Sequence, residues 1–339
     1  MEKMRLGRTG IEVNRTAFGV LPLQRTDYPE AIRILRRAWE GGIDFYDTAR
    51  GYSNSEEKIG MALSGVRQHI VIATKSPAQD KKGLFANIET SLAMLKTDYV
   101  DIYQLHNPTF VPTPGHPSGL YEGLLELKKQ GKIRYIGITN HRLPLALEAI
   151  ETGLYDTVQF PLSYLSGEDD LALAAACQAA DVGLIAMKAL SGGLITNASA
   201  AFAFLRQYGN VLPIWGIQHM HELEDFLTLT DNPPALTSDL QAVIDHDRTE
   251  LVGAFCRGCG YCQPCPAGIP INMAARMSLL LRRAPYQTYL TDEWKSNMEL
   301  IDGCLDCGHC KAHCPYGLDT PALLRANLAD YRQFYADHT

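Results

Sequence analysis

Residues 100–139 have the sequence VDIYQLHNPTFVPTPGHPSGLYEGLLELKKQGKIRYIGIT. Both ends are short runs rich in β-branched, aliphatic and aromatic residues, as strands usually are. Between them, residues 119–132 repeat apolar side chains every three to four positions and close near a glycine, which predicts a helix. Strand, helix and strand in this order predict one βαβ unit with parallel strands.

The same alternation runs from residue 17 to about residue 230 and makes eight strand–helix pairs. The predicted strands cover residues 17–20, 43–46, 70–74, 100–105, 133–139, 157–160, 183–188 and 211–216. Eight pairs over about 215 residues match the count and size of a closed (β/α)8 TIM barrel. An open doubly wound sheet is the alternative, although it usually has fewer strands and a GxGxxG turn, which this sequence lacks. We therefore predict an α/β fold with a barrel at residues 1–230, and a hairpin at MRLGRTGIEV that closes the barrel bottom.

The whole chain has 339 residues, of which 46% are hydrophobic and 20% charged, as expected for a protein with a substantial core. Its formal net charge of −7 is spread without long like-charge runs, so there is no basic stripe for nucleic acid or an anionic membrane. The opening MEKMRLGRTG has no apolar segment of signal-peptide length, and the most apolar stretch, residues 171–190, is interrupted by polar side chains. We expect a cytoplasmic protein with a small-molecule or protein partner.

Cysteines divide the chain, because eight of the nine lie after residue 255. They form a first run, Cys256-x2-Cys259-x2-Cys262-x2-Cys265-Pro266, and a second run, Cys304-x2-Cys307-x2-Cys310-x3-Cys314-Pro315. A helical pattern at residues 271–283 lies between the runs. We predict a linker with one bridging helix at residues 231–253, and a mainly helical ferredoxin-like domain at residues 254–339.

The spacing of both runs resembles that of bacterial two-cluster ferredoxins, in which the fourth cysteine, before proline, binds the other cluster. The first run is one residue shorter before its last cysteine. The crossed rule assigns one 4Fe–4S cluster to Cys256, Cys259, Cys262 and Cys314, and the other to Cys304, Cys307, Cys310 and Cys265. Two tetrahedral zinc sites are the alternative for eight thiolates, although zinc ribbons usually have separated CxxC pairs.

Polar residues end three neighbouring strand runs, at Asp47, Lys75 and His106, and Tyr52 follows in the loop after Asp47. Taken singly, each has a structural explanation: an ion pair for Asp47 and Lys75, a buried core position for His106, and a loop position for Tyr52. Together, at the carboxyl ends of barrel strands, they suit carbonyl reduction. Tyr52 would donate a proton to the carbonyl oxygen, and the ammonium of Lys75 would favour the phenolate that remains. Asp47 would hold Lys75 protonated, while His106 would orient the substrate oxygen.

Six motifs carry a resemblance to a known family: LGRTGIEV, FYDTARGYSNSEEKIGMAL, ATKS, YQLHNP, GKIRYIGITNH and the glutamine at 159. On these motifs, residues 1–230 resemble the aldo-keto reductases, nicotinamide-dependent oxidoreductases with a (β/α)8 barrel. The resemblance implies that Asp47, Tyr52, Lys75 and His106 form the catalytic tetrad. It also implies that Thr139, Asn140 and Gln159 hold the nicotinamide carboxamide.

The cofactor-binding half departs from the best-known pattern of that family. Met187 and Lys188 end the seventh strand, where many members stack a tyrosine on the nicotinamide ring. After the eighth strand, Gly216, Gln218 and Glu222 are the candidate contacts, and the Lys and Arg that commonly bind the adenosine 2′-phosphate are missing. Because an acidic Glu222 would repel that phosphate, both NADP(H) and NAD(H) are candidates. Lys188 or Arg206 is the alternative cation for the phosphate.

The whole chain then resembles the iron–sulfur aldo-keto reductases. Nicotinamide releases electrons in pairs whereas a cluster passes one at a time, so a converter is needed. In our first hypothesis the barrel interconverts a carbonyl and an alcohol with NAD(P)H, and the clusters exchange electrons through a flavin, a partner such as a ferredoxin or flavoprotein, or a radical step. The second is a ferredoxin-linked reductase that does not rely on nicotinamide. The third, an electron-transfer protein with a vestigial barrel, is disfavoured by the intact tetrad.

Overall fold

The computed structural model describes residues 2–251, 255–283 and 285–338. Its contacts divide the chain into two compact units. The first contains the residues up to Ala189 together with Ala198–Gln241, and the second contains Leu190–Asn197 together with the residues from Ala242 onward. The eight-residue segment Leu190–Asn197 therefore belongs to the second unit, although it lies between two elements of the first in sequence.

The first unit is a closed barrel of eight parallel strands preceded by a two-stranded hairpin, which confirms the predicted (β/α)8 fold. The strands are β1 (Lys3–Arg5), β2 (Glu12–Asn14), β3 (Ala17–Gly19), β4 (Phe45–Asp47), β5 (Val71–Ser76), β6 (Val100–His106), β7 (Ile133–Thr139), β8 (Thr157–Pro161), β9 (Gly183–Met187) and β10 (Val211–Gly216). Each of β3 to β10 pairs with its neighbour in sequence, and β10 closes the barrel against β3.

The barrel helices follow the strands in alternation. They are α1 (Tyr28–Glu40), α2 (Ser55–Leu63), α3 (Lys81–Leu95), α4 (Leu120–Lys129), α5 (Leu143–Glu151), α6 (Glu168–Ala179), α7 (Ala198–Leu205) and α8 (Met220–Asp231). In α1, the Asp27 carboxylate accepts the Glu30 N–H at 2.9 Å and caps the N-terminus of the helix. The residues of α1 that face the core are Ala31, Ile34, Leu35 and Ala38.

Three strands run further than the sequence pattern predicted, since β4, β5 and β6 include Asp47, Lys75 and His106. A strand of a closed barrel is buried on both faces, so it continues through a polar residue whose side chain finds a partner inside. The register then aligns these residues: Lys75 is paired with Gln104, and His106 with Thr139.

The hairpin of β1 and β2 packs against the barrel interior. Met4, Leu6 and Val13 belong to one buried cluster with Phe45 and Ile102 of the barrel strands. The turn between the hairpin strands requires glycine at position 7, where φ is +53° and an added Cβ would lie 2.3 Å from the Gly183 amide nitrogen. The predicted hairpin at the barrel bottom therefore forms, with a 3-10 turn at Gly7–Thr9.

The second unit is mainly helical, as predicted. Its helices are α10 (Ile271–Ala274), α11 (Met277–Arg283), α12 (Asp292–Glu299), α13 (His309–Ala312) and α14 (Thr320–His338), and α9 (Ser238–Glu250) crosses the boundary between the units. The pattern at residues 271–283 forms two short helices rather than one, because the backbone leaves the helical conformation at Ala275. On α14, Leu324, Leu328 and Tyr331 form the buried stripe.

Candidate active site and candidate cluster sites

A buried ion pair joins the ends of β4 and β5. The Lys75 ammonium donates to Asp47 Oδ2 at 2.6 Å and to the Thr48 carbonyl oxygen at 2.7 Å. Both side chains are almost fully inaccessible to solvent. Burial raises the pKa of Asp47 and lowers that of Lys75, and the attraction between the two charges opposes both shifts.

Tyr52 and His106 lie beside this pair. The Tyr52 ring centroid is 5.0 Å from Lys75 Nζ, and the ring meets the His106 imidazole edge-on, with centroids 5.7 Å apart at 82°. Tyr52 belongs to the loop after β4, where its backbone N–H donates to the Ala49 carbonyl oxygen at 3.0 Å. The structure thus brings all four predicted catalytic residues together.

The electrostatics of Tyr52 differ from the sequence-based expectation. Burial, followed by the negative charge of Asp47, raises the pKa of Tyr52 far above its ordinary value of about 10. A nearby ammonium alone would favour the phenolate, but Asp47 neutralises Lys75, and both of those side chains are buried. Burial, together with the charge of Lys75, lowers the pKa of His106 to about 3. In this arrangement the phenol is protonated and the imidazole is neutral.

Two glutamines complete the surroundings of Asp47. The Gln104 side-chain amide donates to Asp47 Oδ1 at 3.4 Å and to Gln159 Oε1 at 2.9 Å, and the Gln159 amide donates to Asp47 Oδ2 at 3.4 Å. Sequence reasoning missed Gln104. The available signal was its position two residues before His106, because alternate residues of a strand share a face. Asp47 is therefore held by three donors.

The residues expected to bind the nicotinamide carboxamide are buried and already bonded to protein groups. Thr139 Oγ1 accepts the Asn107 N–H at 3.1 Å. The Asn140 amide donates to the Pro108 carbonyl oxygen at 2.9 Å, and its oxygen accepts the Arg142 N–H at 2.9 Å. With Gln159, these residues line the ends of β7 and β8, next to His106 in register.

The other candidate cofactor contacts end β9 and β10. Met187 is buried at the end of β9, and Lys188 follows it with a left-handed φ of +57°. Gly216 is the exposed last residue of β10. These positions lie at the same ends of the barrel strands as Asp47 and His106, because the sheet is parallel.

Glu222 is the third residue of α8 and completes a capping box with the N-cap residue His219. Its carboxylate accepts the backbone N–H groups of Gln218 at 2.7 Å and His219 at 2.9 Å. Sequence reasoning missed Arg25, whose Nε donates to Gln218 Oε1 at 3.2 Å and which brings a guanidinium to this loop. The alternative cation Arg206 pairs instead with Glu2, next to the hairpin.

The eight clustered cysteines line two separate cavities, four cysteines around each. One is lined by Cys256, Cys259, Cys262 and Cys314, which we call the first cysteine set. The other is lined by Cys265, Cys304, Cys307 and Cys310, the second cysteine set. Each set draws three thiols from one run and one from the other. The side chain of Ile271 lines both cavities.

The chemistry of these cavities suits thiolate-bound clusters, because each offers four soft sulfur donors. Burial, with neighbouring thiols adding to it, raises the pKa of Cys262 to about 12 and also raises that of Cys256. A bound cationic group would favour the thiolates. Among residues 2–251, 255–283 and 285–338, no three His, Cys, Asp or Glu side chains are arranged to hold a single metal ion.

Comparison with known proteins agrees with both parts of the molecule. Residues 15–201 match the model of the aldo/keto reductase family, which is more than half of the chain. The chain belongs to the aldo-keto reductase family. Residues 255–319 match the model of a 4Fe-4S dicluster domain. The molecule is thus an aldo-keto reductase with an iron–sulfur domain.

Curated relatives match the barrel. L-galactose dehydrogenase of Arabidopsis thaliana is 32% identical over 216 residues, which are 58% of this chain and 68% of that protein. Aldo-keto reductase YhdN of Bacillus subtilis (strain 168) is 34% identical over 41% of this chain and 47% of its own length. Methylglyoxal reductase DkgA of Escherichia coli (strain K12) is 36% identical over 34% of this chain and 42% of its own length. The chain therefore spans less than half of the latter two.

Solved structures match the same region. A thermostable aldo-keto reductase, Tm1743, in complex with the inhibitor epalrestat is 26% identical, with a TM-score of 0.61 over 73% of this chain and 100% of that one. The aldo-keto reductase AKR11C1 from Bacillus halodurans, at 24% identity and a TM-score of 0.64, shares the fold over 73% of this chain and 96% of its own.

The chain is an oxidoreductase of the type that acts on CH–OH and C=O groups. No helix in the described part of the chain is both long and apolar enough to cross a membrane.

Proposed function

We propose that the barrel interconverts a small carbonyl compound and its alcohol with NAD(P)H, and that the second unit holds two 4Fe–4S clusters for electron transfer. The observation that carries the proposal is the convergence of Asp47, Lys75, Tyr52 and His106 at adjacent strand ends. Both halves of the proposal are consistent with the family of the barrel and of the cysteine-rich domain.

Tyr52 is the proton donor in this proposal. Burial keeps its phenol protonated, so the proton is available throughout the ordinary pH range. A carbonyl oxygen that gains negative charge becomes an alkoxide, which is more basic than a phenolate and takes the proton from Tyr52 Oη. In the reverse direction, the phenolate accepts the proton of the alcohol. The O–H bond of Tyr52 therefore breaks in the reductive direction and forms in the oxidative direction.

Lys75 stabilises the phenolate that remains after proton transfer, since its ammonium lies 5.0 Å from the Tyr52 ring centroid. Asp47 keeps Lys75 charged and points its ammonium into the site. The amides of Gln104 and Gln159 help to keep Asp47 ionised, since they donate to its carboxylate. These two glutamines are positioning residues in the proposal.

His106 supplies a neutral imidazole. Because its pKa is lowered to about 3, one ring nitrogen keeps its proton and the other accepts across the ordinary pH range. A neutral N–H can orient the substrate oxygen without competing with Tyr52 as an acid. The edge-on contact with the Tyr52 ring supports the proposal that both groups would face the same carbonyl oxygen.

A bound nicotinamide dinucleotide supplies or accepts the hydride. The residues that we propose for its binding are Thr139, Asn140, Gln159, Met187, Lys188, Gly216, Gln218 and Glu222. Asn140 and Gln159 would have to exchange protein hydrogen bonds for bonds to the carboxamide. Glu222 disfavours a 2′-phosphate, so we propose that NAD(H) competes well with NADP(H).

Bound clusters supply one-electron transfer. We propose the first and second cysteine sets as their ligands, one cluster in each set. Conversion between electron pairs and single electrons would be performed by a flavin or by a partner protein, a ferredoxin or a flavoprotein. We place the protein in the cytoplasm, where such thiols stay reduced.

A ferredoxin-linked reductase that does not rely on nicotinamide is the second candidate. The observation in its favour is that the groups expected to bind the dinucleotide are already used within the protein. Glu222 takes two N–H groups at the α8 N-terminus, and Asn140 and Gln159 are bonded to protein partners. In that case electrons would reach the barrel from the clusters one at a time.

Anaerobic titration of the full-length protein separates the two candidates. NADH and NADPH are added in turn while nicotinamide fluorescence and cluster absorbance are followed, with methylglyoxal and L-galactose as probe substrates because relatives bear those names. Saturable nucleotide binding with turnover of a probe supports the nicotinamide-dependent reaction. If neither dinucleotide binds and reduced ferredoxin alone drives turnover, the second candidate is correct.

A further inference from the structure

Arg276 is a buried arginine between α10 and α11, with a relative accessibility of only 8%. Its Nη2 donates to the Gly192 carbonyl oxygen at 2.8 Å, within the Leu190–Asn197 segment of the same unit. A guanidinium in such a place is always protonated, so a fixed positive charge lies inside the second unit.

Two glycines make room for this guanidinium. A Cβ added at Gly192 would lie 2.8 Å from Arg276 Nη1, and one added at Gly258 would lie 2.9 Å from Nη1 and 3.2 Å from Cζ. Both glycines have a left-handed φ, of +67° and +62°. The side chain is therefore packed directly against both loops, and no other residue type would let it approach so closely.

The loop that contains Gly258 is part of the first cysteine set. Gly258 lies between Cys256 and Cys259, and its N–H donates to Cys256 Sγ at 3.4 Å. The positive charge of Arg276 acts on that thiol, where it opposes the effect of burial on the pKa of Cys256. The guanidinium thus packs against the residue whose N–H is bonded to a proposed cluster ligand.

We propose that Arg276 raises the reduction potential of the cluster bound by the first cysteine set. This inference depends on the proposed function, because it requires a cluster at that set. A cluster becomes more negative by one charge when it takes up an electron, and a fixed cation in a dry environment favours that form. The buried charge of Arg276 near the first cysteine set would therefore give the two clusters different reduction potentials.

The second cysteine set lacks this arrangement in the described part of the chain. Cys307 is exposed to solvent, and the arginines near the cavity, Arg325 and Arg332, are half-exposed and paired with Asp306 and Asp302. Solvent and the paired carboxylates screen those charges. A change at Arg276 should consequently affect one cluster and leave the other unchanged.

The test is an anaerobic potentiometric titration of the full-length protein, followed by electron paramagnetic resonance. The variants are Arg276→Gln, which removes the charge, and Arg276→Lys, which keeps it. The matched control is Arg282→Gln, which removes a charge on α11 that is paired with Asp330. Arg276→Gln should lower one midpoint potential and leave the other unchanged, Arg276→Lys should lower it less, and Arg282→Gln should change neither.

Iron and acid-labile sulfide are measured first in every preparation. A wild-type protein without sulfide would contradict the proposed function itself. If Arg276→Gln retains both clusters and both potentials equal those of the wild type, the role of Arg276 is wrong. If that variant loses a cluster, Gly192→Ala is the second test. Gly192 lies outside both cysteine runs, and its added methyl group would push the Arg276 guanidinium away. If a Gly192→Ala protein with both clusters has the midpoint potentials of the wild type, the inference is wrong. If the midpoint potential of one cluster is lower than in the wild type, the inference is supported.

Discussion

Lys75 Nζ lies 2.6 Å from Asp47 Oδ2 and 5.0 Å from the Tyr52 ring centroid, so one buried ammonium contacts both a carboxylate and a phenol. Because Asp47 neutralises much of that charge, the pKa of Tyr52 stays high, and in the proposed reaction the phenol keeps its proton until an alkoxide takes it. In the proposed reaction, the Asp47–Lys75 pair would therefore stabilise the phenolate left after proton transfer more than the protonated phenol.

Tyr52→Phe tests the proton donor. It removes one hydroxyl and little volume, so activity with a verified carbonyl substrate should fall by at least about a hundredfold, while dinucleotide affinity and iron content stay unchanged. Tyr103→Phe is the matched control, because it also removes a buried hydroxyl, one that donates to the Leu84 carbonyl oxygen. Near-normal turnover by Tyr52→Phe would exclude Tyr52 as the donor.

Lys75→Met leaves the Asp47 carboxylate buried without its ion-pair partner. We expect a loss of about 3–5 kcal/mol in the free energy of unfolding, together with loss of activity. The Asp47→Asn/Lys75→Met double variant should regain much of the stability and none of the activity, as measured by urea unfolding and steady-state kinetics. Lys58→Met is the control, since Lys58 is equally buried but donates to carbonyl oxygens of Leu23 and Thr26. Equal activity losses in Lys58→Met and Lys75→Met would indicate a general packing effect.

The lowered pKa of His106, about 3, makes stability depend on pH. Between that value and the ordinary value of about 6.5, the unfolded chain binds a proton that the native chain does not. This contribution to stability is therefore complete above pH 6.5 or so and declines as the pH falls toward 3. The unfolding midpoint of His106→Gln should approach that of the wild type between about pH 7 and pH 5. A difference that stays constant across this range would contradict the lowered pKa.

Glu222→Gln tests the repulsion of a 2′-phosphate. Glutamine can still accept an N–H at the start of α8, so the cap is kept while one negative charge is lost. We expect the affinity for NADPH to rise about three- to tenfold relative to that for NADH, since such a change corresponds to ~1 kcal/mol. Dissociation constants from calorimetry measure this ratio. An unchanged ratio would mean that the carboxylate does not face the phosphate. Arg25→Gln should change it in the opposite direction, because it removes a cation from the same loop.

Crossed ligation is tested by Cys314→Ala. Cys314 lines the same cavity as Cys256, Cys259 and Cys262, so its loss should damage the cluster of the first cysteine set. Cys265→Ala should damage the other cluster. Iron content should fall from about eight to about four per chain in each variant, with different clusters remaining in the resonance spectra. Cys256→Ala and Cys304→Ala mark the two clusters, so a residual spectrum of Cys314→Ala that matches Cys304→Ala rather than Cys256→Ala would exclude the crossed arrangement.

The sequence by itself determined the fold class. Eight β-rich runs alternate with segments that repeat apolar residues every three to four positions, and few architectures other than a (β/α)8 barrel have that pattern. It also determined which polar residues share one end of the barrel, since parallel strands bring all their carboxyl ends to the same side. The cysteine spacing predicted the dicluster domain in the same way, because short spacings constrain which sulfurs can converge.

Only the tertiary structure decided how those residues influence one another. The protonated state of Tyr52 depends on burial and on Asp47, and neither effect can be read from a strand pattern. Gln104, Arg25 and Arg276 acquire their roles from hydrogen-bond partners that are 55, 193 and 84 residues away in the sequence, respectively. The assignment of Leu190–Asn197 to the second unit likewise follows from long-range contacts. The local pattern of apolar and polar residues determines the helices and strands. Protonation states and hydrogen bonds between distant residues depend on distances that only tertiary packing determines.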